Sequence, residues 1–331
     1  MVGKVTPNDQ LSASEIPVLM GASKFKTVNE LLKEKMDVIS GIEPPSGIEP
    51  PFITNESMDW GNTLESTILA KSAERLGLIN DQDSNNLKTD HEKPYHHDTL
   101  PFACSLDGTV TGDDRVIMTD LDKGIICVNA DEVKMSGMGI IEAKLTAHEV
   151  ESADQLPLYR GPLQLQMQMD CTGAEWGAVC VLYKGTTLRT FVYQRDDETI
   201  GQIHEAIMDF QRRIDKWKTN DEVEWYDITT PAEASRIFDE PDKAEIALPE
   251  AEEYAEKIVE LRDMIKDLEG QVTTHEIKIM DYMHDNQHAV SGRYKISWPL
   301  INYKAQPEKI TPAKPARTIR QSKLRIRDRE I

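Results

Sequence analysis

Residues 139–145 read GIIEAKL, and residues 102–108 read FACSLDG. Both are short apolar runs of the kind that forms β-strands. Successive side chains of a strand alternate between its two faces, so Glu142 and Lys144 are expected to point the same way. Asp107, at the end of the other run, could complete a site for Mg²⁺, which binds a few carboxylates and keeps several waters. Glu-x-Lys is a weak signal by itself, because a solvent-facing strand with alternating charge has the same spacing.

The lysine of this pattern has a defined use beside a metal ion. Lys144 would lie next to the metal-bound water, where it can hold the nucleophile or offset the charge of a pentavalent phosphate. The two strands therefore predict a centre for phosphoryl hydrolysis.

The segments around these strands predict an α/β core. Two short helices open the chain, and a further helix extends from Asp59 to Gly77 with Trp60, Leu64, Ile68 and Ala73 on one face. Residues 102–145 predict an antiparallel meander. The elements expected after it are a helix from Pro162 to Gly173, a hairpin across Gly185 and an amphipathic helix over residues 198–217.

Charge is distributed unevenly along the 331 residues, whose formal net charge is −20. A strongly acidic protein is a poor partner for nucleic acid, since phosphates are neutralised by Lys and Arg. Residues 221–260, however, hold fourteen acidic residues against three basic ones, while residues 309–331 hold eight basic residues against two acidic ones. The net charge is therefore a poor guide to the partner.

Cysteine usage and hydropathy indicate the cellular setting. The four cysteines form no CxxC pair, so neither a zinc finger nor a disulfide framework is predicted. No apolar run approaches the ~20 residues of a membrane span, and no signal peptide is recognisable at the start. We expect a cytoplasmic protein with no membrane association.

The pattern changes again in the C-terminal third. Apolar residues recur at alternating steps of four and three, which predicts a coiled-coil seam or a helical hairpin arm. They are Tyr254, Ile258, Leu261, Ile265, Leu268 and Val272. The predicted organisation is a nuclease-like domain over 1–220 with a Pro-rich loop at 41–51, an acidic linker over 221–250, a coiled coil or helical hairpin over 251–290, and a short β-like run with a basic tail over 291–331.

Five ordered blocks resemble one known family. They are LSASEI (11–16), WGNTLE (60–65), HHDTLPFACSLDG (96–108), IIEAK (140–144) and QLQMQMDCTG (164–173). Together they are similar to the YqaJ-type viral recombinases of the PD-(D/E)XK nuclease superfamily, the group that includes phage lambda exonuclease. The resemblance implies a restriction-endonuclease-like core, in which helices flank a central mixed sheet, followed here by a C-terminal helical extension.

The resemblance also implies a role for individual residues. Asp107 and Glu142 would be metal ligands, with Glu65 on the helix facing the metals and the backbone carbonyl of Ala143 as a further ligand. Lys144 would be the catalytic lysine and Gln164 the glutamine that contacts the nucleophile region. Ser14 and Ser105 match serines that contact the terminal phosphate of the DNA. The implied cofactor is Mg²⁺, with two ions and with Mn²⁺ as a substitute.

The implied activity is that of a Mg²⁺-dependent 5′-to-3′ exodeoxyribonuclease, a phosphodiester hydrolase that leaves 3′ single-stranded overhangs for recombination. Implied partners are double-stranded DNA ends, a single-strand annealing protein and further copies of the chain in a trimeric ring, in the cytoplasm of a bacterial host. The chain departs from the family in three places: the stretch between Asp107 and Glu142 is longer, Tyr159 is displaced from the position before the glutamine, and no Trp and Arg precede residue 11.

Several alternatives stay open at this level. An endonuclease or nickase of the same superfamily would use the same residues, and a non-catalytic recombination scaffold would use the coiled coil and basic tail. In the helix after Pro162, Gln164 and Gln168 share a face, and Gln166 is expected at the surface. For His96 and His97, capping of a loop is favoured over metal binding, because no third ligand is placed to complete a zinc site.

Overall fold

A computed structural model describes residues 6–42, 56–80, 85–89, 91–152, 154–238 and 245–301. The predicted Pro-rich loop lies mostly, and the predicted basic tail entirely, outside these ranges. The chain divides into two compact units, residues 1–237 and residues 238–331. Among the described helices, none combines the length and apolar character needed to cross a membrane.

The first unit contains six α-helices and ten strands among its described residues. The helices are α1 (Ile16–Leu19), α2 (Val28–Ile39), α3 (Glu56–Arg75), α4 (Pro162–Thr172), α5 (Asp197–Asn220) and α6 (Pro231–Ile237). The strands are β1 (Leu11–Ser12), β2 (Tyr95–His96), β3 (Phe102–Cys104), β4 (Gly108–Thr111), β5 (Arg115–Met118), β6 (Ile125–Cys127), β7 (Glu132–Met135), β8 (Met138–Thr146), β9 (Trp176–Tyr183) and β10 (Thr187–Gln194). Short 3-10 turns span Ala13–Glu15 and Leu158–Arg160.

A five-stranded mixed sheet in the order β4-β8-β9-β10-β6 forms the centre of this unit. The long strands β8 and β9 are parallel and joined through α4, whereas β9 and β10 form an antiparallel hairpin. Apolar residues cover both faces, with α1, α2, α4 and α5 on one side and α3 and β7 on the other. The mixed α/β architecture predicted from the sequence is confirmed.

The helices begin and end where capping chemistry places them. Gly161, with φ of 115°, precedes Pro162 at the first position of α4, and Gly173 ends the helix with φ of 70°. The Asp196 side chain accepts hydrogen bonds from the backbone N–H groups of Glu198 and Thr199 and so starts α5. Both helices match their predicted ranges closely.

The region between Asp107 and Glu142 differs from the predicted meander. Strands β5 and β7 pair only with each other, β3 belongs to a small sheet of order β1-β3-β2, and β6 pairs in parallel with β10. The runs themselves were recognisable, but their partners were not, because strand pairing depends on contacts distant in sequence. Trp60, expected on the inner face of α3, is 51% exposed.

Part of the predicted acidic linker also packs on the first unit. The side chain of Asn29 donates a hydrogen bond to the backbone carbonyl of Tyr226 at 3.1 Å and to Glu233 Oε1 at 2.9 Å, and Glu233 is buried. Trp225 and Tyr226 rest against the core. Acidic composition alone could not predict this, because a buried carboxylate needs partners from remote parts of the chain.

The second unit contains one long helix, α7 (Glu252–Met283), preceded by a 3-10 turn, Pro249–Ala251. A hairpin of β11 (His288–Ser291) and β12 (Tyr294–Ser297) follows it. The predicted heptad seam therefore lies on one continuous helix of 32 residues. The alternative of a helical hairpin is wrong for residues 252–283.

Candidate active site

Strand β8 carries the two charged residues that the sequence singled out. Glu142 and Lys144 alternate with Ile141 and Ala143, whose side chains belong to the apolar cluster around α3, while Ile140 belongs to the cluster around α4. Glu142 is only 2% exposed. A carboxylate buried to this extent needs hydrogen-bond partners, because its desolvation is costly.

Three side chains satisfy the Glu142 carboxylate. Lys144 Nζ donates to Glu142 Oε1 at 2.7 Å, and Gln164 Nε2 donates to the same oxygen at 2.6 Å. Gln168 Nε2 donates to Glu142 Oε2 at 2.7 Å. Lys144 Nζ also donates to Gln164 Oε1 at 3.1 Å, so lysine, glutamate and glutamine form a closed triangle.

The start of α4 lies directly against this triangle. A Cβ atom on Gly161 would come 3.0 Å from Val179 Cγ1 and 3.6 Å from Lys144 Cε, and the left-handed backbone of Gly161 disfavours a side chain there. The glycine therefore allows the first turn of α4 to approach β8 and β9. This approach brings Gln164 within reach of Glu142.

The glutamines of α4 do not behave alike. Gln164 and Gln168 face β8, one helical turn apart, and Gln168 also donates to the backbone carbonyl of Ser105 at 3.0 Å. The expectation that Gln166 lies at the surface is wrong: it donates to the carbonyl of Gln194 at 3.0 Å and accepts from the N–H of Asp196 at 2.9 Å. Because α4 is covered on both sides, helical spacing could not identify a solvent face.

Two further carboxylates line the same cavity of about 340 Å³ as Glu142 and Lys144. Asp107, which follows β3, accepts a hydrogen bond from the backbone N–H of Ala143 at 2.9 Å through Oδ2. Glu65 enters from α3. The structure therefore brings together the four charged residues predicted for the site.

The electrostatics of the cluster show an excess of negative charge. Burial, together with the neighbouring Glu142 carboxylate, raises the pKa of Asp107 well above its usual range. The pKa of Glu65 is raised for the same two reasons. Burial would lower the pKa of Lys144, but the carboxylates of Glu142, Asp107 and Glu65 outweigh it and raise the pKa. The cluster has three carboxylates and one ammonium, and the carboxylate oxygens are ligands that suit a hard divalent cation.

The two serines predicted to contact a terminal phosphate lie at one edge of the small sheet. Strands β1 and β3 are parallel, with Leu11 opposite Phe102 and Ser12 opposite Ala103. Ser14 and Ser105 follow the carboxyl ends of these strands, and both are exposed. Ser12, not Ser14, is the N-cap residue of the first turn, and its backbone N–H donates to Glu15 Oε2 at 2.9 Å.

A second polar cluster lies at the opposite end of α4. Asp170 Oδ2 is 2.9 Å from His97 Nε2 and 2.6 Å from His204 Nε2, and Asp170 Oδ1 accepts from Arg195 at 2.6 Å. One donor atom each from His97, Asp170 and His204 lie within 4.8 Å of one another, a spacing that could hold a metal ion. His204, on α5, supplies the third ligand that the sequence did not reveal.

The hydrogen bonds of His97 account for this cluster without a cation. His97 Nδ1 accepts from the backbone N–H groups of Thr99 at 3.2 Å and Leu100 at 3.1 Å, which is the predicted loop-capping role. The network therefore assigns the ring proton to Nε2, the atom that contacts Asp170. A nitrogen that carries a proton cannot ligate a metal, so we interpret the four residues as a structural hub. His96, at the end of β2, is not part of it.

Burial would raise the pKa of Asp170, but the hydrogen bonds from His204 and Arg195 outweigh this effect and hold the pKa below its usual range. The hub thus stabilises a charged carboxylate with donors from three separate parts of the chain: the loop after β2, the loop after β10 and α5. In this respect it differs from the cluster around Glu142, where carboxylates face one another.

The solved structures that the chain matches include three exonucleases. LHK-Exo in complex with dAMP matches with a TM-score of 0.43 and 18% identity, covering 65% of this chain and 95% of that one. The alkaline exonuclease LHK-Exo from Laribacter hongkongensis matches with a TM-score of 0.43 and 19% identity, over 65% and 94% of the two chains. A phage-related exonuclease from Haemophilus somnus 129PT matches with a TM-score of 0.40 and 12% identity, over 64% and 96%.

A search among curated proteins gave no match. The model of one protein family, the YqaJ-like viral recombinase domain, matches residues 7–175, which is just over half of the 331 residues. The matched segment runs from the loop before β1 to the end of α4 and contains every residue of the Glu142 cluster. The chain therefore belongs to the family of YqaJ-like viral recombinase domains.

Proposed function

We propose that this protein is a divalent-metal-dependent deoxyribonuclease that hydrolyses phosphodiester bonds at the ends of duplex DNA, as a recombination exonuclease of the phage type. The observation that carries the proposal is the meeting of Glu65, Asp107, Glu142 and Lys144 in one cavity of about 340 Å³. Family membership supports the same reaction class.

The metal is Mg²⁺, with Mn²⁺ able to replace it and with two ions in the complete site. Asp107, Glu142, Glu65 and the backbone carbonyl of Ala143 are the groups that would hold it. When bound, such ions polarise the phosphate and lower the pKa of a bound water. The excess of carboxylates over ammonium in the cavity supports this donor set.

Lys144 and Gln164 act on the reacting water and phosphate. The Lys144 ammonium is held by Glu142 Oε1 and Gln164 Oε1, and its raised pKa keeps it charged at neutral pH. A charge fixed in this way needs little reorganisation as negative charge develops on the phosphate oxygens. Gln164 orients both partners of the triangle and would contact the nucleophile region.

The DNA end is the substrate feature that Ser14 and Ser105 would recognise. Their hydroxyl groups are exposed at the edge formed by β1 and β3, and Gln168 links the backbone of Ser105 to Glu142. A terminal 5′ phosphate held there would place the adjacent ester near the carboxylates. Hydrolysis would then proceed 5′ to 3′ and leave a 3′ single strand for an annealing protein.

The setting that fits this activity is the cytoplasm of a phage-infected bacterium. A ring of several copies around DNA would retain an acidic protein on its substrate by topology, since a net charge of −20 opposes simple electrostatic binding. The trimeric ring implied by the resemblance is one such arrangement.

The test is digestion of linear duplex DNA labelled at one end or the other, with and without a 5′ phosphate, in Mg²⁺ and in EDTA. We expect Mg²⁺-dependent release of label from the 5′ end, faster with the phosphate, and no cleavage of closed circular DNA. Cleavage of the circle would identify an endonuclease or nickase instead. Binding of DNA without hydrolysis in Mg²⁺ or Mn²⁺ would identify a scaffold.

A further inference from the structure

Helix α7 presents a row of large apolar side chains to solvent. Within the second unit, Tyr254, Leu261, Ile265, Leu268 and Val272 are between 45% and 72% exposed. They lie along one face of a single helix of 32 residues, which is about 48 Å long at 1.5 Å per residue. Scattered apolar residues on a surface need no explanation, but a continuous row of this length does.

The row follows a heptad repeat through the whole helix. Written as abcdefg, the a positions are Ile258, Ile265, Val272 and Ile279, and the d positions are Tyr254, Leu261, Leu268, His275 and Tyr282. Every a residue is therefore β-branched, and the two central d residues are leucine. This combination favours a parallel coiled coil of two helices over one of three or four, because the side chains at a and d pack with different geometry in each oligomer.

The same repeat identifies the partner. A flat core surface imposes no alternation of steps of four and three, whereas another helix with the same repeat matches it at every layer. Within residues 245–301 the only helix with this repeat is α7 itself. A second copy of the chain supplies an identical helix.

The flanking positions are compatible with this arrangement. In a parallel pair each g residue faces the next e residue of the partner, which brings Met264 near Glu269 and Gln271 near Glu276. Lys257 and Arg262 would be the one pair of like charges, and Lys257 is already ion-paired with Glu260 of its own helix at 2.6 Å. An antiparallel pair would bring Lys257 near Lys278 but also Arg262 near Glu269, so charge does not select the direction. The separation of β-branched residues to a and leucine to d indicates the parallel pair, because only there does a face a and d face d.

We propose that α7 forms a parallel, two-stranded coiled coil with α7 of a second copy of this protein. The interface is the a and d row from Tyr254 to Tyr282. The proposal rests on the second unit alone, so it depends neither on the proposed nuclease activity nor on a ring formed by the first unit, two of which this contact would join.

The direct test is cysteine cross-linking of the full-length chain under mild oxidation. Identical d residues face each other across a parallel seam, so Leu268→Cys is expected to give a covalent dimer on a non-reducing gel. Asp263→Cys, at an f position on the outer face, is the matched control and is expected to stay uncross-linked. The unsubstituted protein reports any background from its four native cysteines.

Other outcomes of this experiment overturn the proposal. Failure of Leu268→Cys to cross-link, or equal cross-linking of Asp263→Cys, would show that the seam does not join two copies. Cross-linking that requires Ile265→Cys and Leu268→Cys together would indicate an antiparallel pair.

A measurement of mass tests the number of strands. By analytical ultracentrifugation, the double variant Ile265→Lys with Leu268→Lys is expected to halve the mass of the assembly. The control, Asp263→Lys with Asp267→Lys on the outer face, should leave the mass unchanged. A mass that falls to one third would indicate a three-stranded seam, and an unchanged mass would exclude the seam as an interface. The melting temperature of the first unit, compared with that of the unsubstituted protein, checks that both variants are folded.

Discussion

The two ends of helix α4 hold buried carboxylates in opposite electrostatic surroundings. At its first turns Gln164 and Gln168 contact Glu142, which shares a cavity with Asp107 and Glu65 and has one ammonium nearby. At its last turn Asp170 is surrounded by donors from His97, His204 and Arg195. In the first cluster, burial and the neighbouring Glu142 carboxylate raise the pKa of Asp107, whereas in the second burial is outweighed by the hydrogen bonds from His204 and Arg195, which lower the pKa of Asp170.

This difference separates a cluster whose charge the protein balances with its own donors from one whose charge a bound cation would balance. A single carboxylate that faces only donors, as Asp170 does, stabilises the fold and has no requirement for a ligand. Carboxylates that repel one another reduce stability unless a cation joins them. We therefore propose the Glu142 cluster as the centre of chemistry and interpret the Asp170 cluster as a structural joint.

The largest expected effect is the loss of hydrolysis on substitution at the Glu142 cluster. Glu142→Gln should abolish hydrolysis, because it removes the negative charge of a proposed metal ligand and of the ion pair with Lys144. Lys144→Ala should reduce the rate by about 10²–10³-fold, since a charge directed at the transition state is lost. The measurement is single-turnover hydrolysis of an end-labelled duplex, with DNA binding in Ca²⁺ as the check on folding.

The matched control for that experiment is Asp170→Asn. It should keep Mg²⁺-dependent hydrolysis per folded molecule, because Asp170 lies at the other end of α4. If Asp170→Asn lost Mg²⁺-dependent hydrolysis and Glu142→Gln kept it, our assignment of the two clusters would be reversed.

The next effect concerns stability and its dependence on pH. Asp170→Asn should lower the free energy of unfolding by about 3 kcal/mol at pH 7, as expected when one partner of a buried ion pair is removed. Because the pKa of Asp170 is lowered in the folded protein, this contribution is complete above about pH 4 and is lost as the pH falls through the folded-state pKa. Denaturant unfolding of both proteins between pH 7 and pH 3 measures it. A difference that grows towards low pH would contradict the assignment.

A smaller effect is expected from the glutamine that links the two predicted sites. Gln168→Leu leaves Glu142 Oε2 and the Ser105 carbonyl without their donor and should lower kcat by about 10–100-fold with little change in KM, as for other groups that orient a metal ligand. Gln166→Leu, on the side of α4 facing Gln194, is the control. Equal losses in the two variants would show only that α4 had been disturbed.

The smallest effect concerns the end of the DNA. Ser14→Ala should reduce the preference for a 5′ phosphate over a 5′ hydroxyl by about tenfold, because a hydrogen bond from an exposed hydroxyl to a charged group lies at the low end of about 1.5–3 kcal/mol. Rates on the two ends are compared for both proteins. If the unsubstituted protein shows no preference, the serines have no role in recognising the phosphate.

The sequence predicted local structure well where periodicity and turn chemistry determine it. The shared face of Glu142 and Lys144 follows from strand alternation, and the shared face of Gln164 and Gln168 follows from helical spacing. Gln166 was mispredicted because the loop after β10 covers the far side of α4. The contacts of Asp170 with His97 and His204 join residues 73 and 34 positions apart, and no local pattern records such contacts.

Prediction of strand pairing from the sequence has the same limit. The runs that became β5, β6 and β7 were visible in the sequence, but the split of β5 and β7 from the central sheet was not. In α7 the heptads predicted one helix face, and the choice between a coiled coil and a helical hairpin depended on where the helix ended, at Met283.

The measurement that tests the central claim most directly is the melting temperature of the unsubstituted protein and of Asp107→Asn, each in EDTA and in Mg²⁺. Because the pKa of Asp107 is raised, its charge opposes folding at neutral pH without a cation. We therefore predict that Asp107→Asn melts at a higher temperature than the unsubstituted protein in EDTA, and that Mg²⁺ raises the melting temperature of the unsubstituted protein much more than that of the variant. A lower melting temperature for the variant in EDTA, with equal shifts in Mg²⁺, would contradict a cation site at Asp107 and Glu142.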